Sequence, residues 1–237
     1  MFINTRYRSN SPEIMDDFEM EGDLLRDALD KIASINRLLG GNKVTLQGLR
    51  WLLKDHSPGN EVSILDVGCG NGDMLRTLAD YAAENDLRFN LVGIDANNFT
   101  IKHAGNLSAE YPNISFLCAD IFEEIKQPRN YDVILCTLTL HHFKDSEIIK
   151  LINGFMTQAA KGIVINDLHR SALAYYLFMA LCFVFGLNKM SRDDGLVSIL
   201  RGFKRKDLLA YSRDLGLKKY SIKWKWAFRY QWLIKTL

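Results

Sequence analysis

The chain has 237 residues, of which 48% are apolar and 24% are charged, and its formal net charge at neutral pH is +2. This length suits one α/β domain with additions and a sizeable core, and the small net charge excludes a strong general demand for nucleic acid. The four cysteines are scattered without a C-x-x-C pair, which argues against disulfides and zinc and favours buried thiols in a reducing cytosol.

Two amphipathic helices are predicted in an N-terminal segment of residues 1–60. Apolar residues recur at helical spacing over 24–39, Gly40-Gly41 ends this first helix, and a second helix is predicted over roughly 44–53. Such helices need a surface to cover. They could form a lid over a ligand-binding site or pack on the outer face of a sheet, and the sequence leaves both interpretations open.

Residues 61–237 are predicted to form an α/β core in which strands and helices alternate. The strands are expected at 62–67, 89–95, 114–118, 131–137 and 162–167, with helices near 73–84, 98–110 and 145–159. This alternation is typical of a parallel, doubly wound sheet with right-handed crossovers. Ligands of such sheets bind beyond the carboxyl ends of the strands, so the polar residues at those ends are the informative ones.

Three glycines at alternate positions, Gly68, Gly70 and Gly72, follow the first strand, and Asp66 lies two residues before them. Glycine tolerates a positive φ and, without a Cβ, lets a ligand approach the backbone. The turn opens a helix, whose N-terminus offers free N–H groups to a polar ligand. The dinucleotide fingerprint G-x-G-x-x-G places its third glycine one residue later, so this spacing disfavours a nucleotide-dependent oxidoreductase.

Acidic residues end the next two strands. Asp95 lies 23 residues beyond Gly72, near the spacing at which an acid meets ribose hydroxyls, and one carboxylate can accept from both hydroxyls. Asp120 could accept from an adenine amino group while Ile121 packs on the ring. Either acid could instead cap the N-terminus of a helix.

From about Val62 to Arg170 the chain resembles the class I S-adenosylmethionine (SAM) dependent methyltransferases. Ile64–Gly72 is similar to motif I, Gly93–Asp95 to the acidic position after it, Asp120-Ile121 to motif II, and Leu140–Phe143 to the L-H-H element of many small-molecule members. The resemblance implies a seven-stranded Rossmann-like sheet in the order 3-2-1-4-5-7-6, with strand seven antiparallel. Alternating apolar residues over 220–226 and 228–234 predict a hairpin that supplies the last two strands.

The resemblance also implies SAM as cofactor and S-adenosylhomocysteine (SAH) as product, with the SAM ammonium beside Asp66 and no metal ion. The cofactor contacts it implies are Asp66, Gly68, Cys69, Gly70, Asn71, Asp95, Ala96, Asp120, Ile121, Thr137, Leu138 and His142.

Three histidines follow strand ends on the ligand side. Methyl transfer needs mainly alignment and exclusion of water, and a base near neutral pKa would assist a phenolic acceptor. His141 is the first candidate for this base and His169 the second, while His142 could pack or hydrogen-bond beside SAM. A structural role remains an alternative for each.

Residues 171–200 are predicted to be a hydrophobic helical insertion after the fifth strand. Its 172–187 portion carries no charged residue and is shorter than the roughly 20 residues of a spanning helix. It could form a wall of the substrate pocket or a membrane-facing cap, or it could be core or a dimer face. Tyr176, Phe183 and Arg201 are predicted to contact the acceptor.

A narrower, looser resemblance rests on Ile35–Gly41, Ser191–Gly195, Ser198, Arg201 and Phe203. These segments resemble bacterial small-molecule methyltransferases that are often encoded beside type III polyketide synthases. The expected partner is therefore a small apolar acceptor, either phenolic, quinone or polyketide-like, and no nucleic acid.

Alternative functions remain open. From Arg201 onward the sequence contains eleven basic residues and two acidic ones. These basic residues could bind RNA or anionic lipid, or they could merely form a solvated surface. An RNA or protein methyltransferase lacks support, because strand four ends Cys136–Thr139 without an Asn-Pro-Pro-Tyr type of motif. A SAM-binding or membrane-associated partner protein without enzymatic activity is the other alternative. The expected location is the cytoplasm, with peripheral membrane contact open, since Met1–Arg6 has no signal-peptide core.

Overall fold

A seven-stranded sheet in the order β3-β2-β1-β4-β5-β7-β6 forms the centre of the molecule. Strands β1 to β5 pair in parallel, and β7 pairs antiparallel with both β5 and β6, which confirms the predicted order. The strands are β1 (Glu61–Val67), β2 (Arg88–Asp95), β3 (Ile114–Cys118), β4 (Tyr131–Thr137), β5 (Ala159–Leu168), β6 (Tyr220–Lys225) and β7 (Arg229–Lys235).

This computed structural model describes residues 3–57 and 59–236. Residues 1, 2, 58 and 237, which belong to the predicted segments 1–60 and 61–237, lie outside the described part. Among the described residues the helices are α1 (Asp23–Leu38), α2 (Gly41–Leu52), α3 (Asp73–Glu84), α4 (Asn98–Leu107), α5 (Ile121–Glu124), α6 (Asp145–Gln158), α7 (Ala172–Val184), α8 (Lys189–Arg201) and α9 (Arg205–Asp214), with 3-10 turns at Ile14–Asp16 and Leu140–His142.

The central strands are buried on both faces, which explains why they are continuously apolar. In β1, Ile64 joins a core cluster with Leu75 of α3, while its neighbour Leu65 joins a second cluster with Phe155 of α6. Since successive side chains of a strand point to opposite faces, helices on both sides are needed to cover this sheet.

The two N-terminal helices occupy different places. Helix α2 packs on β5 and β7, so closely that a Cβ on Gly48 would lie 2.7 Å from Val164 Cγ1 and 2.8 Å from Leu233 Cδ2. Helix α1 contacts α2 and α8, and its Leu29 lines the cavity at the carboxyl end of the strands. Helix α2 therefore packs on the sheet, as one interpretation expected, whereas a lid function for α1 stays a prediction.

The C-terminal hairpin completes the sheet with unequal strands. Strand β7 lies between β5 and β6 and is almost fully buried, with Trp232 at its centre, whereas β6 forms the exposed edge. No helix within the described residues has both the length and the apolar composition needed to cross a membrane.

Candidate functional site

A cavity of about 760 Å³ opens at the carboxyl ends of the parallel strands. Its walls are the turn after β1, the ends of β2, β4 and β5, helices α1, α7 and α8, and the turn between β6 and β7. All twelve predicted cofactor contacts line this cavity, from Asp66 to His142. That they contact a cofactor stays a prediction.

The glycine turn has one open side. Gly68, Gly70 and Gly72 all have positive φ, of +67°, +52° and +78°. A Cβ on Gly68 would lie 2.4 Å from Thr139, and one on Gly72 would lie 2.8 Å from the Phe116 ring. A Cβ on Gly70 would meet only Leu29 Cδ2, at 3.9 Å. Packing therefore requires the outer two glycines, while the middle one leaves its side of the turn accessible to a ligand.

Asp66 presents an unpartnered carboxyl oxygen at this turn. The residue is 2% exposed, and its Oδ1 has no hydrogen-bond partner among the described residues. Burial, together with the smaller effect of the Asp95 charge, raises the pKa of Asp66 to about 8. Because an ionised carboxylate without a partner is costly in an apolar environment, this position favours a cationic ligand that supplies one.

Asp95 holds the glycine turn in place. Its Oδ2 accepts from the Gly70 N–H at 3.2 Å and its Oδ1 accepts from the Asn97 N–H at 3.0 Å. Burial raises the pKa of Asp95, although these backbone N–H groups act against that shift. Each carboxylate oxygen keeps further acceptor capacity for a hydroxyl in the cavity.

Asp120 has the capping role weighed for it from the sequence, while its contact with an adenine stays a prediction. Its Oδ1 accepts from the Phe122 N–H at 2.8 Å and caps α5, and the residue also lines the cavity beside Ile121. At the end of β4, Leu138 has a φ of +55°, which is uncommon for a residue other than glycine. Such backbone strain clusters at functional sites, and Leu138 also lines the cavity.

His141 and Asp167 form a buried dyad. His141 Nδ1 lies 2.7 Å from Asp167 Oδ1, and the His141 backbone N–H donates to Asp167 Oδ2 at 3.1 Å. Burial opposes ionisation of Asp167, but the charge and hydrogen bond of His141 and the Leu168 N–H lower its pKa overall. In the neutral form of His141, hydrogen bonding to an ionised Asp167 places the proton on Nδ1 and leaves Nε2 as an acceptor. This Nε2 has no partner among the described residues.

Glu13 is a neighbour of this dyad that the sequence did not indicate. Its Oε1 lies 3.8 Å from His141 Nε2 and has no hydrogen-bond partner in the described part of the chain. Burial raises the pKa of Glu13 to about 7, against the opposing effects of His142, Ser198 and Arg201. Only long-range packing brings a residue from the N-terminal segment to the end of β4.

Arg201 lies behind the histidines rather than in the cavity. Its guanidinium donates to the backbone oxygens of His141 and His142 and to Asp16 Oδ2, the last at 2.7 Å. The residue is 8% exposed and does not belong to the cavity wall. The prediction that Arg201 contacts the acceptor is therefore corrected: the guanidinium positions the loop that carries both histidines.

Glu13, His141 and His142 offer three ligand atoms within 4.8 Å of one another, a spacing that could suit a metal ion. An Arg201 nitrogen lies 3.4 Å from Glu13 Oε1, and His142 Nδ1 is already 2.7 Å from Asp16 Oδ1. Glu13 Oε1 therefore already lies beside the Arg201 cation, and His142 Nδ1 is already hydrogen-bonded to Asp16. The absence of a functional metal stays a prediction.

His169 also lines the cavity, in a different environment. Its Nδ1 accepts from Trp224 Nε1 at 3.3 Å. Burial lowers the pKa of His169, and the nearby charges of Lys204 and Arg170 lower it further, so the ring is neutral at neutral pH. His169 could accept a proton, but no carboxylate within the described residues is hydrogen-bonded to orient it.

Helix α7 has a cavity face and an exposed face. Ala174, Phe178 and Leu181 belong to the cavity wall at helical spacing, whereas Phe183 is 92% exposed. Tyr176 and Phe183, predicted as acceptor contacts, do not line the cavity. The prediction is corrected for these two residues, because the helical period places them away from the side that Ala174 and Phe178 share.

Residues 64–162 match a family model described as "Methyltransferase domain". The ubiquinone biosynthesis O-methyltransferase of Coxiella burnetii is 29% identical over 127 residues, which are 52% of this chain and 51% of that protein. The enzyme of the same description from Rickettsia felis is 28% identical over 121 residues, covering 50% of this chain and 46% of the relative. The chain thus spans about half the length of the curated relatives it matches.

Solved structures resemble more of the chain. The plantazolicin methyltransferase BpumL in complex with SAH has a TM-score of 0.68 at 18% identity, covering 90% of this chain and 93% of the other. The magnesium protoporphyrin IX methyltransferase ChlM from Synechocystis PCC 6803 with bound SAM has a TM-score of 0.55 at 15% identity, covering 93% and 88%. At such low identity these likenesses show the fold.

Replacing Asp66 with Asn should stabilise the protein more at high pH than at low pH. With a folded-state pKa of about 8, against about 3.9 when unfolded, Asp66 favours folding fully below pH 4. That contribution is lost as the pH rises towards 8. The gain from Asp66→Asn should be about 1–3 kcal/mol larger at pH 8 than at pH 5, measured by urea unfolding. Asp214→Asn, at an exposed acid, is the control, and an equal pH dependence in both variants would contradict the assignment.

Proposed function

We propose that this chain is a SAM-dependent methyltransferase that acts on a small apolar acceptor. The proposal depends on one observation: the glycine turn with Asp66 and Asp95 forms one wall of the cavity, and His141, which is hydrogen-bonded to Asp167, belongs to another. A candidate cofactor site and a candidate base therefore line the same cavity. The match of residues 64–162 to a methyltransferase domain and the SAM- and SAH-bound structural neighbours support the same conclusion.

The residues at the turn fit SAM. The unpartnered Oδ1 of Asp66 would accept from its ammonium, and the open side of Gly70 leaves room for its amino-acid end. Asp95 would accept from the ribose hydroxyls, while Asp120 and Ile121 would contact the adenine. The ammonium would favour the ionised form of Asp66, so the raised pKa of the free protein would fall on binding.

Bound SAM supplies a methyl group on a sulfonium, and transfer of that methyl leaves the neutral thioether of SAH. His141 Nε2 would accept the proton of the acceptor hydroxyl, which makes the oxygen a better nucleophile. Asp167 holds the Nδ1–H at 2.7 Å, fixes the tautomer and stabilises the imidazolium that forms. Glu13 Oε1 could accept from the same hydroxyl. His169 is the second candidate for the base.

The apolar walls of the cavity support an apolar acceptor. Apolar side chains of α1 and α7 would enclose an apolar phenol, quinone or polyketide-like molecule and exclude water from the transferred methyl. In this role residues 1–60 act as a lid, with α1 as its covering element, and residues 171–200 act as a helical insertion over the acceptor. The relatives named above include a ubiquinone biosynthesis O-methyltransferase, which supports a small acceptor.

The alternative functions have less support. Arg201 and Arg229, two of the eleven basic residues of the C-terminal region, are buried and add nothing to a basic surface for RNA. A protein without enzymatic activity would bind SAM but transfer no methyl. The narrower resemblance to methyltransferases encoded beside type III polyketide synthases and the cytoplasmic location stay predictions, and the neighbouring genes would test the first of these.

The exposed face of α7 favours peripheral contact with a membrane. Phe183 is 92% exposed and Val184 is 78% exposed, and the helix contains no charged residue. Apolar side chains that protrude in this way would insert into the boundary between lipid head groups and acyl chains. An apolar acceptor could then enter the cavity along the opposite face of the same helix.

Removing the Asp95 carboxylate should weaken SAM and SAH binding. Asp95→Ala takes away the expected acceptor of two ribose hydroxyls and the acceptor of the Gly70 N–H. The expected loss is about 1–3 kcal/mol, which is roughly 5- to 150-fold in affinity, in a protein that still unfolds cooperatively. Calorimetry with SAH measures it, with the exposed Asp55→Ala as control. Wild-type affinity in Asp95→Ala would remove the basis of the cofactor assignment.

Loss of the base should slow methyl transfer without weakening SAM binding. His141→Gln should lower kcat by roughly 10²–10⁴ while SAH affinity stays within a few-fold of wild type. Radiolabelled methyl transfer to a panel of phenols is the assay. If His169→Gln causes this loss instead, His169 is the base.

Substitutions on the two faces of α7 should have different effects. Phe178→Ser, in the cavity wall, should raise the acceptor KM roughly tenfold or more, since it removes most of a half-buried aromatic side chain whose complete burial is worth about 1.5–3 kcal/mol. Phe183→Ser, on the exposed face, should leave KM unchanged but reduce co-flotation with anionic phospholipid vesicles. Each variant is the control for the other. Equal effects of the two on KM would contradict the wall assignment.

A further inference from the structure

Arg229 is a buried cation without a hydrogen-bonded partner. It is 4% exposed, it lines the cavity, and its Nε and Nη1 have no hydrogen-bond partner among the described residues. Buried charges are normally paired, since an unpaired one keeps its full cost of desolvation. Such a group at the wall of a ligand cavity indicates that the ligand supplies the missing partner.

The charged neighbour of Arg229 is Asp167, whose two carboxylate oxygens already accept hydrogen bonds from other groups. Asp167 is close enough to favour the charged form of Arg229, but its Oδ1 is bound to His141 Nδ1 and the Leu168 N–H, and its Oδ2 to the His141 N–H. Burial lowers the pKa of Arg229 to about 10, so the guanidinium remains protonated at neutral pH. An anion would therefore meet a full positive charge there.

Gly41 leaves the space for this side chain. A Cβ at Gly41 would lie 3.1 Å from Arg229 Cζ and 1.8 Å from the Asn36 Oδ1. That oxygen also has no hydrogen-bond partner among the described residues, and Asn36 itself belongs to the cavity wall. The neutral amide of Asn36 does not compensate the charge of Arg229.

Arg229 lies on the acceptor side of the cavity. It is the first residue of β7 and pairs with Leu168 of β5, next to the His141–Asp167 dyad. Strands β4 and β5 separate β7 from β1, so at about 4.8 Å a strand the two strands lie roughly 14 Å apart. In the register of the sheet Leu233 is the residue of β7 opposite Asp66, and Arg229 lies at the other end of β7, which adds to its separation from Asp66. The ammonium of a cofactor at Asp66 and a group at Arg229 would thus belong to different parts of the occupied cavity.

We propose that Arg229 binds a carboxylate of the acceptor, so that the acceptor is an apolar acid with a methyl-accepting hydroxyl. The planar guanidinium matches a carboxylate in geometry, and its unpartnered nitrogens are the donors such a pair uses. The proposal rests on the proposed methyl transfer, in which His141 Nε2 receives the proton of the hydroxyl. The turn of Trp226–Phe228, which lines the cavity beside Arg229, encloses the carboxylate end.

The test compares a carboxylate with its neutral amide. Calorimetry on the protein saturated with SAH would measure binding of 6-hydroxy-2-naphthoate and 6-hydroxy-2-naphthamide. Wild type should bind the naphthoate ten- to a hundredfold more tightly, as expected for charge-assisted hydrogen bonds. Arg229→Met should lose this preference and keep its affinity for the amide within twofold. Lys223→Met, an exposed position on the same hairpin, is the matched control and should keep the preference.

Three results of the binding measurements would overturn the proposal. The first is no preference for the carboxylate in wild type, including no binding of either probe. The second is a preference that persists in Arg229→Met. The third is a tenfold loss of SAH affinity in Arg229→Met, which would assign the guanidinium to the carboxylate of the cofactor. If SAH does not bind wild type at all, the proposed function fails, and the probes can still be compared on the unloaded protein.

Thermal unfolding separates this role from a structural one. Arg229→Met replaces an unpaired buried charge with an apolar side chain, so its Tm should equal or exceed that of wild type. A marked fall in Tm would show a structural cation compensated through Asp167, and it would overturn the proposal. If Arg229→Met does not fold, Arg229→Gln gives the same comparison with a polar side chain.

Discussion

The carboxylate of Asp95 joins the parts of the molecule on which the cavity depends. It ends β2, accepts from the Gly70 N–H of the turn after β1, and accepts from the Asn97 N–H at the start of α4. Asn97 in turn donates to the backbone oxygens of Phe18 and Met20. One side chain at a strand end therefore sets the shape of the glycine turn and, through its neighbour, the course of the N-terminal segment over the cavity.

Buried polar atoms without partners concentrate around this cavity. Asp66 Oδ1, Glu13 Oε1, His141 Nε2 and the Arg229 guanidinium all lie in its wall. Each lowers the stability of the free protein, because its hydrogen bonds to water are lost on folding and not replaced. Natural proteins keep such groups where a ligand or a reaction needs them. These unpartnered atoms lie in two parts of the cavity, one beside Asp66 and the other beside Arg229.

Local patterns sufficed for much of the fold. The apolar run of β1 and the helical spacing after Gly72 depend only on near neighbours, so both elements occur within one residue of the predicted bounds. The order of the strands came from the resemblance carried by the motifs. Side-chain contacts between different strands were harder to predict. Asp167 lies at the end of β5 and His141 follows the adjacent β4, but the sequence does not show that their side chains meet.

The sequence by itself determined the strands, the glycine turn and the set of polar residues at the strand ends, since these follow from periodicity and backbone conformation. Only the tertiary structure decided which faces turn inward. Phe178 and Phe183 belong to one apolar helix, yet the first lines the cavity and the second is exposed, because the packing of α7 against α8 selects the side. Arg201 and Arg229 are similar in sequence terms, since both belong to a basic region. Long-range neighbours accept hydrogen bonds from Arg201, whereas Nε and Nη1 of Arg229 have no hydrogen-bond partner among the described residues.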